Sequence, residues 1–174
     1  PIGHVVGFSN MRAGRIMARH LYDSGYRKIG FIGGTTDRDR RGADRRQGFE
    51  LEILSLGLST ERFWQSDETI TTMGAGRLAM QGLLTRYPDT DAVMCVSDLS
   101  AFGAMMTCRR KGLKIANDIA IAGFGAYEIS ANSFPEITTI DVGAYDIGTK
   151  TAELIEMSLS PRDDDSTLQQ WIEV

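Results

Sequence analysis

Two stretches of this chain decide its fold: AVMCVSDLSAFGAM at 92–105 and IAIAGFGAYE at 119–128. Each begins as a short apolar run and stops at small or polar residues, as a buried parallel strand does where it meets a ligand crevice. Further apolar runs lie at 4–8, 28–32 and 137–142. The pattern predicts parallel strands whose carboxyl ends carry a binding site.

Helical patterns occupy the segments between most of these strands. Gly25, Gly57 and Gly112 follow three of the helices, in the position where a glycine commonly ends one. Alternating strands and helices predict an α/β fold, with a parallel sheet covered by helices on both faces and no linker that separates two domains. The helices are predicted at 10–25, 41–57, 74–87, 98–112 and 143–159, and a last strand at 169–174.

The composition is that of a soluble globular domain. The 174 residues are 42% hydrophobic and 24% charged, which is ordinary for one compact domain. Lys and Arg total 19 against 23 Asp and Glu, so the chain lacks the basic surface that grips nucleic acid. We therefore expect no direct DNA binding by these residues.

The same sequence predicts a cytoplasmic protein with no membrane partner. No apolar run approaches the roughly 18 residues of a membrane span. The start, PIGHVVGFSN at 1–10, has neither the basic region nor the apolar stretch of a signal peptide. Cys95 and Cys108 lie in apolar surroundings, where thiols are usually buried and reduced.

Nucleotide-binding motifs fail on their context. Gly74, Gly76 and Ala79 match a dinucleotide fingerprint by letter, but the polar segment DETITTM at 67–73 precedes them instead of a buried strand. The glycine pair at 33–34 is followed by TTDRD and not by the Lys and Ser or Thr of a phosphate loop. We predict no cofactor.

Catalytic and metal-binding residues are equally hard to assign. The two histidines, His4 and His20, have no Cys or carboxylate at ligand spacing. The sequence therefore predicts a binding protein with no catalytic residues, no metal site and no enzymatic activity.

Polar groups at the strand ends are the candidates for binding a small molecule. Ser97 and Asp98 end one strand and begin a helix, so the carboxylate either accepts hydrogen bonds from ligand hydroxyls or caps the helix. Arg45 lies early in the second helix and offers a fork of donors for hydroxyls or a carboxylate. A solvated helix start is favoured for the neighbouring Arg38, Arg40 and Arg46.

Six motifs follow one another along the chain, namely NMRAG, HLYDSGYRKIGFIGG, RGADRRQGF, PDTDAVMCVSDLSAFGAM, NDIAIAGFGAYE and FPEITTID. Their order resembles the effector-binding core of LacI/GalR-type bacterial transcription regulators. The strings SDLSAFGAM at 97–105 and GFGAYEIS at 123–130 most resemble the gluconate-operon repressors.

This resemblance implies a type I periplasmic-binding-protein-like fold, in which two similar flavodoxin-like subdomains hold the effector between them behind a helix-turn-helix headpiece. Residues 1–174 would then form the effector-binding domain, mainly its C-terminal subdomain at about 9–136 and 168–174, with a crossover helix at 137–160. The headpiece and most of the first subdomain would be absent from this chain. We expect the apolar face of the crossover helix to meet another chain.

The resemblance also assigns the site residues. Arg45 matches the arginine that such regulators use on effector hydroxyls or carboxylates, and Ser97 with Asp98 match the next polar contact. Phe8 and Ser9 lie at the crossover into the first subdomain. Tyr127 and Glu128 are candidates for the rim of the pocket.

Gly125 departs from the family pattern, because many members have an effector-binding Asp after the GF pair. Losing a carboxylate beside a retained arginine removes a repulsive partner for an anion, which favours a sugar acid over a neutral sugar. The alternative is that this glycine only shapes a turn.

The predicted function is therefore that of a homodimeric repressor domain that senses a sugar or a gluconate-like sugar acid. Effector binding would shift the regulator between two arrangements and change how its headpieces meet operator DNA. The family resemblance implies that the dimer contacts lie in the segments 74–84, 101–109 and 129–139. The competing hypothesis is a periplasmic solute-binding protein of a sugar ABC transporter. A third hypothesis, a sugar-processing enzyme, is not favoured because the sequence offers no acid–base pair of catalytic residues.

Overall fold

The structure is a computed structural model that describes residues 4–34, 39–64, 71–159 and 171–173. They form two compact units, a larger one over Asn10–Ile140 and a smaller one that combines the residues before Asn10 with those after Ile140. In chain order the elements are β1 (Val5–Gly7), α1 (Asn10–Asp23), β2 (Ile29–Ile32), α2 (Arg40–Ser55), β3 (Phe63–Trp64), α3 (Met73–Arg86), β4 (Ala92–Cys95), α4 (Asp98–Arg110), β5 (Ala120–Ala122), α5 (Glu128–Asn132), α6 (Ala144–Leu159) and β6 (Trp171–Glu173).

The larger unit contains a four-stranded parallel sheet in the order β3-β2-β4-β5. Alternate strand residues point to opposite faces. Phe31 and Met94 join a core with α1 and α2, whereas Ile32, Val93 and Cys95 join a second core with α3 and α4. The predicted class, a parallel sheet with helices on both faces, is confirmed.

Glycines allow α1 to pack closely against α2, and α3 to pack closely against α4, near the starts of α2 and α4. A Cβ added to Gly14 of α1 would lie 2.0 Å from the carbonyl oxygen of Arg45 in α2. A Cβ added to Gly76 of α3 would lie 2.1 Å from the carbonyl oxygen of Ser100 in α4. Because any larger side chain would push the helices apart, these glycines fix the positions of the residues at the starts of α2 and α4.

One local prediction differs from the structure, and two short elements were not predicted. The apolar run 137–142 is not a strand, because it lies beside β5 through an isolated bridge between Thr138 and Ala122 and two further backbone hydrogen bonds, from Gly123 to Thr138 and from Gly125 to Ile140, without a continuous ladder. The two-residue strand β3 and the five-residue helix α5 were not predicted. Elements this short have no measurable periodicity, so a pattern search passes over them.

The smaller unit pairs β1 with β6 in parallel, with Val5 opposite Trp171 and Val6 opposite Ile172. The segment 168–174 was predicted to belong with 9–136, and its described part, β6, pairs with β1 in the smaller unit. Residues 160–170 lie outside the described residues. Helix α6 buries Leu154 and exposes the apolar Ile155 and Leu159, and a contact of this helix with another chain stays a prediction.

Candidate functional site

Arg45, a predicted site residue, contacts two other parts of the larger unit, at Asn10 and at Phe124. It lies in the second turn of α2, whose first turn is capped by Asp39 through a 2.9 Å hydrogen bond from the Gly42 amide. Only 7% of Arg45 is exposed. Its Nη1 donates to Oδ1 of Asn10 at 2.5 Å, and its guanidinium carbon lies 4.1 Å from the ring centroid of Phe124. The side chain is thus held between the start of α1 and the chain that follows β5.

The Arg45 guanidinium has donor capacity that the protein does not use. Its Nε is buried and has no hydrogen-bond partner in the part of the chain that the structure describes. Burial lowers the pKa of Arg45, and the nearby Asp39 opposes that effect. An arginine remains charged despite such a shift, so a buried donor without an acceptor destabilises the unliganded protein. A carboxylate or hydroxyl of a ligand would supply the missing acceptor.

Ser97, and not Asp98, caps the helix at the end of β4. The Ser97 Oγ accepts a 3.3 Å hydrogen bond from the amide of Ser100, and Ser100 Oγ accepts one from the amide of Ser97, which completes a capping box. The Ser97 hydroxyl also donates to the carbonyl of Thr71 at 3.2 Å. Of the two roles left open for this pair, the capping role belongs to Ser97.

Asp98 uses both carboxylate oxygens inside the protein. Its Oδ2 accepts from the Tyr127 amide at 2.7 Å, and its Oδ1 accepts from the Thr139 hydroxyl at 2.7 Å. The side chain is fully buried. Asp98 therefore ties the start of α4 to the segments around Tyr127 and Thr139, and a direct contact with an effector remains a prediction.

Gly125 has a backbone conformation that side chains rarely adopt. Its φ is +118°, and its amide donates to the carbonyl of Ile140 at 3.0 Å. A Cβ at this position would lie 2.9 Å from Cε1 of Tyr127. These features support the alternative reading that Gly125 shapes a turn. Its role in effector selection stays a prediction.

The remaining candidates lie at different places. Tyr127 and Glu128, which begin α5, are exposed, as a pocket rim would require. Phe8 and Ser9 follow β1 in the smaller unit and are half-buried. Their contribution to binding is still a prediction.

Sequence reasoning missed three residues that complete this arrangement. Asn10 was predicted only as the start of the helix at 10–25, whereas its side chain accepts a hydrogen bond from Arg45. Phe124 lies in the glycine-rich GFG turn and Thr139 in the FPEITTID motif, so the motifs contained them without indicating their partners.

The interpretation of the neighbouring arginines was partly wrong. Arg46 is only 9% exposed, and its guanidinium lies 5.6 Å from the ring centroid of Phe63, so it is not a solvated residue. Arg40 is exposed as expected, and Arg38 lies outside the described residues. Because α2 lies on the sheet, consecutive residues of its buried face reach different parts of the core.

The described ranges contain no group of three His, Cys, Asp or Glu that could hold a metal ion. Among the described helices, none combines the length and hydrophobicity needed to cross a bilayer. Cys95 and Cys108 are buried free thiols, and burial raises the pKa of both, that of Cys108 to about 12.

Comparison with known proteins places this geometry in a family. A family model described as a periplasmic binding protein-like domain matches residues 18–171. The chain belongs to this family. The predicted resemblance to LacI-type regulators is also confirmed, because solved structures that match the chain include LacI family transcriptional regulators and the curated relatives below are HTH-type transcriptional regulators.

The curated relatives of this chain are named as transcriptional regulators. The HTH-type transcriptional regulator CelR of Thermobifida fusca is 30% identical over 155 residues, which are 86% of this chain and 44% of that protein. IdnR of Escherichia coli K12 is 30% identical over 159 residues, which are 91% of this chain and 47% of IdnR. GntR of the same strain is 31% identical over 135 residues, which are 78% of this chain and 40% of GntR. The chain thus spans less than half the length of these relatives.

Solved structures agree over nearly the whole chain. A LacI family transcriptional regulator from Silicibacter pomeroyi is 36% identical with a TM-score of 0.90, covering 100% of this chain and 62% of that one. The regulator GntR from Chromobacterium violaceum is 28% identical with a TM-score of 0.85, covering 97% and 61%. A complex of the regulator CelR with cellobiose is 25% identical with a TM-score of 0.80, covering 98% and 51%.

Proposed function

We propose that this chain is the effector-binding and dimerisation domain of a cytoplasmic LacI-type repressor. It would bind a sugar or a gluconate-like sugar acid and control operator DNA through a headpiece that these residues do not include. The curated relatives support a regulator over a solute-binding protein of a transporter, since each is named as a transcriptional regulator.

The observation that carries this proposal is the buried guanidinium of Arg45. It lies against Phe124, and its Nε lacks an acceptor among the described residues. Parallel α/β sheets place their ligands outside the carboxyl ends of the strands, and Phe124 and Ser97 both lie just beyond such ends. An oxygen-rich ligand would meet donors that the protein leaves uncommitted.

Charge supports a sugar acid as the effector class. Asp98 already accepts two internal hydrogen bonds, and Gly125 brings no carboxylate to the site. Arg45 therefore retains a positive charge that suits a carboxylate group. A neutral sugar is the second candidate, because one structural neighbour is a complex with cellobiose.

Exposed apolar residues support the proposed homodimer. Phe134 is 84% exposed and Leu78 is 58% exposed, and both fall within the segments expected to form the dimer contacts. Single exposed apolar side chains are common, but these two lie in segments that the family resemblance had already predicted to form dimer contacts. A dimer would present two headpieces to a two-fold operator, and effector binding would change their spacing.

Calorimetry on a full-length protein that contains this chain would test the effector class. Gluconate is titrated against glucose and galactose, with Arg45→Gln as the test variant and the exposed Arg40→Gln as the matched control. Gluconate is expected to bind more tightly than either neutral sugar. Arg45→Gln should weaken gluconate binding about tenfold or more, because it removes a charged hydrogen bond. Tighter binding of a neutral sugar would reject the sugar-acid hypothesis.

The regulator itself is tested by DNA selection. The full-length protein is incubated with random duplexes, and the retained sequences are compared with and without gluconate. We expect the protein to retain a two-fold symmetric DNA sequence, and we expect gluconate either to release that DNA from the protein or to be required for its retention. Sugar binding without any sequence-selective DNA retention would favour the transporter hypothesis. Recovery of chemically altered sugar would instead indicate an enzyme.

A further inference from the structure

A polar cleft at the β3 edge of the larger unit has no role in the proposed effector site. It encloses about 530 Å³ between α2, β3 and the end of α3. Three arginines and two glutamates line it, together with the rings of Phe63, Trp64 and Tyr87.

Arg46 is the unexplained group in this cleft. The residue is more than nine-tenths buried, and its Nη1 is buried without a hydrogen-bond partner in the described chain. Burial lowers the pKa of Arg46, and Glu50 opposes that shift only by its charge. A buried cationic donor that lacks an acceptor destabilises the protein, and an anion that enters the cleft would remove that penalty.

The other acidic groups at the cleft are already engaged. Arg62 donates to Glu61 through Nη1 and to both oxygens of Asp89 through Nη2, at 3.0 and 3.2 Å. Lys28 also pairs with Asp89, at 3.0 Å. The Nε of Arg62 remains buried and unpartnered. Glu61 and Asp89 are therefore paired with Arg62 and Lys28, and not with the other arginines that line the cleft.

The uncommitted charges leave an excess of positive potential. Arg46 and Arg86 line the cleft with no hydrogen-bonded carboxylate among the described residues, and Glu50 is the acidic side chain that remains beside them. Arg86 is exposed and reaches over the ring of Tyr87, at 5.4 Å from its centroid. One exposed cation and one buried cation that line the same cleft suit a small anion.

We infer that this cleft is a second ligand site, which binds a small molecule through a phosphate or carboxylate group held by Arg46 and Arg86. It is separate from the effector site, since Arg46 lies against Phe63 in β3 and Arg45 against Phe124 after β5. Strands β3 and β5 are the two opposite edges of the sheet. A regulator with this arrangement could respond to a second metabolite without competition at the first site.

Trp64 provides a direct readout, because it lines the cleft. The 174-residue chain is used with Trp171→Phe as background, which leaves Trp64 as its single tryptophan. Inorganic phosphate and succinate are titrated separately at constant ionic strength, with potassium chloride as the reference salt. A saturable fluorescence change is expected for at least one anion. The anion that binds more tightly shows whether the cleft prefers a phosphate or a carboxylate group. Calorimetry repeats each titration.

Variants decide whether the signal comes from this cleft. Arg46→Gln and Arg86→Gln should each weaken binding, the buried one about tenfold or more, whereas the exposed Arg40→Gln on the same helix should not change it. Because Arg46→Gln removes a buried side chain, its thermal midpoint is measured alongside, and Arg86→Gln tests the site at an exposed position. No saturable binding of either anion would overturn the inference. Weakening by Arg45→Gln with none by Arg46→Gln would also overturn it, because the anion would then occupy the effector site.

Discussion

Arg45 and Arg46 are adjacent on α2, yet they belong to two different regions of the larger unit. Both are buried, both lie against a phenylalanine ring, and both have a buried nitrogen without a partner in the described chain. Arg45 also donates to Asn10 and stands near the strand ends where ligands bind in such folds. Arg46 has no comparable acceptor among the described residues and lies against Phe63 of β3.

The difference teaches that neighbouring arginines on a buried helix face are separate chemical sites. Successive residues of a helix are rotated by about 100°, so two adjacent long side chains diverge from one another. Their environments are then set by strands that are far apart in the sheet order. Identical residue types can therefore carry two binding functions in one helix.

Moving α2 as a whole should produce the largest effect and disturb the Arg45 region most. In Gly14→Ala, the new Cβ would overlap the carbonyl oxygen of Arg45, 2.0 Å away. We expect the free energy of unfolding, measured in urea, to fall by about 1–3 kcal/mol, as overpacking usually costs. Gly74→Ala is the matched control, since a Cβ there meets only one atom, at 4.0 Å, and should leave stability unchanged or slightly higher. Equal effects of the two changes would contradict the close crossing of α1 and α2.

Weakening the internal contacts of Asp98 should come next. Both of its oxygens accept hydrogen bonds, so the amide side chain in Asp98→Asn can keep the Tyr127 contact only by turning its NH2 group toward the Thr139 hydroxyl. That hydroxyl would then have to accept instead of donate, and both bonds lose the charge of the carboxylate. The expected loss of stability is about 1–3 kcal/mol. Thr139→Val should cost less, because it removes one bond and leaves the Tyr127 contact intact. If Asp98→Asn kept full stability but lost effector binding, Asp98 would be a direct ligand contact and not a structural tie.

Much of the larger unit was predictable because its strands and helices are long enough to show their periods. The apolar run at Ala92–Cys95 and the helix from Asp98 are read directly from the letters, and the motif order gave the family. The site was predicted less completely. Arg45 followed from the resemblance, while Asn10 and Thr139 depend on contacts across 35 and 41 residues of sequence. Such pairings are set by packing, which local patterns do not encode.

Arg46 shows the same limit from the other side. An arginine-rich segment with interspersed aspartates is usually a solvated helix start, and the composition gave no reason to bury one member. Burial follows from β3, a two-residue strand too short to be predicted, which provides the Phe63 ring beneath the guanidinium. The second cleft therefore became visible only with the structure.

Replacing each arginine by methionine should sharpen the contrast between the two regions. Arg46→Met removes a buried unpartnered donor and retains a long apolar side chain, so stability should be unchanged or higher. Arg45→Met removes an unpartnered Nε as well but also leaves Oδ1 of Asn10 without its donor. We expect Arg46→Met to be more stable than Arg45→Met by about 1 kcal/mol in urea unfolding at neutral pH without added anion. The reverse order would show that Arg46 has a stabilising partner.

A paired buried charge on the same helix gives the smallest and most conditional effect. Glu52 is buried near the end of α2; burial alone would raise its pKa, but hydrogen bonds from Arg19 and Arg15 outweigh that effect and lower the pKa below 4.5. A carboxylate whose pKa is lowered by folding stabilises the protein above its unfolded pKa, and this contribution disappears as the pH falls through the folded pKa.

Glu52→Gln should therefore be less stable than the parent at pH 7 by about 1 kcal/mol, because the two arginines are half-exposed and screened by solvent. The difference should shrink as the pH is lowered below 4.5, the ordinary value for this carboxyl. Urea unfolding of both proteins between pH 7 and pH 4 measures it, and Arg15→Gln should reproduce part of the pH dependence. A difference that grows on acidification would mean that Glu52 is destabilised by its burial, as the unpartnered Arg46 is inferred to be.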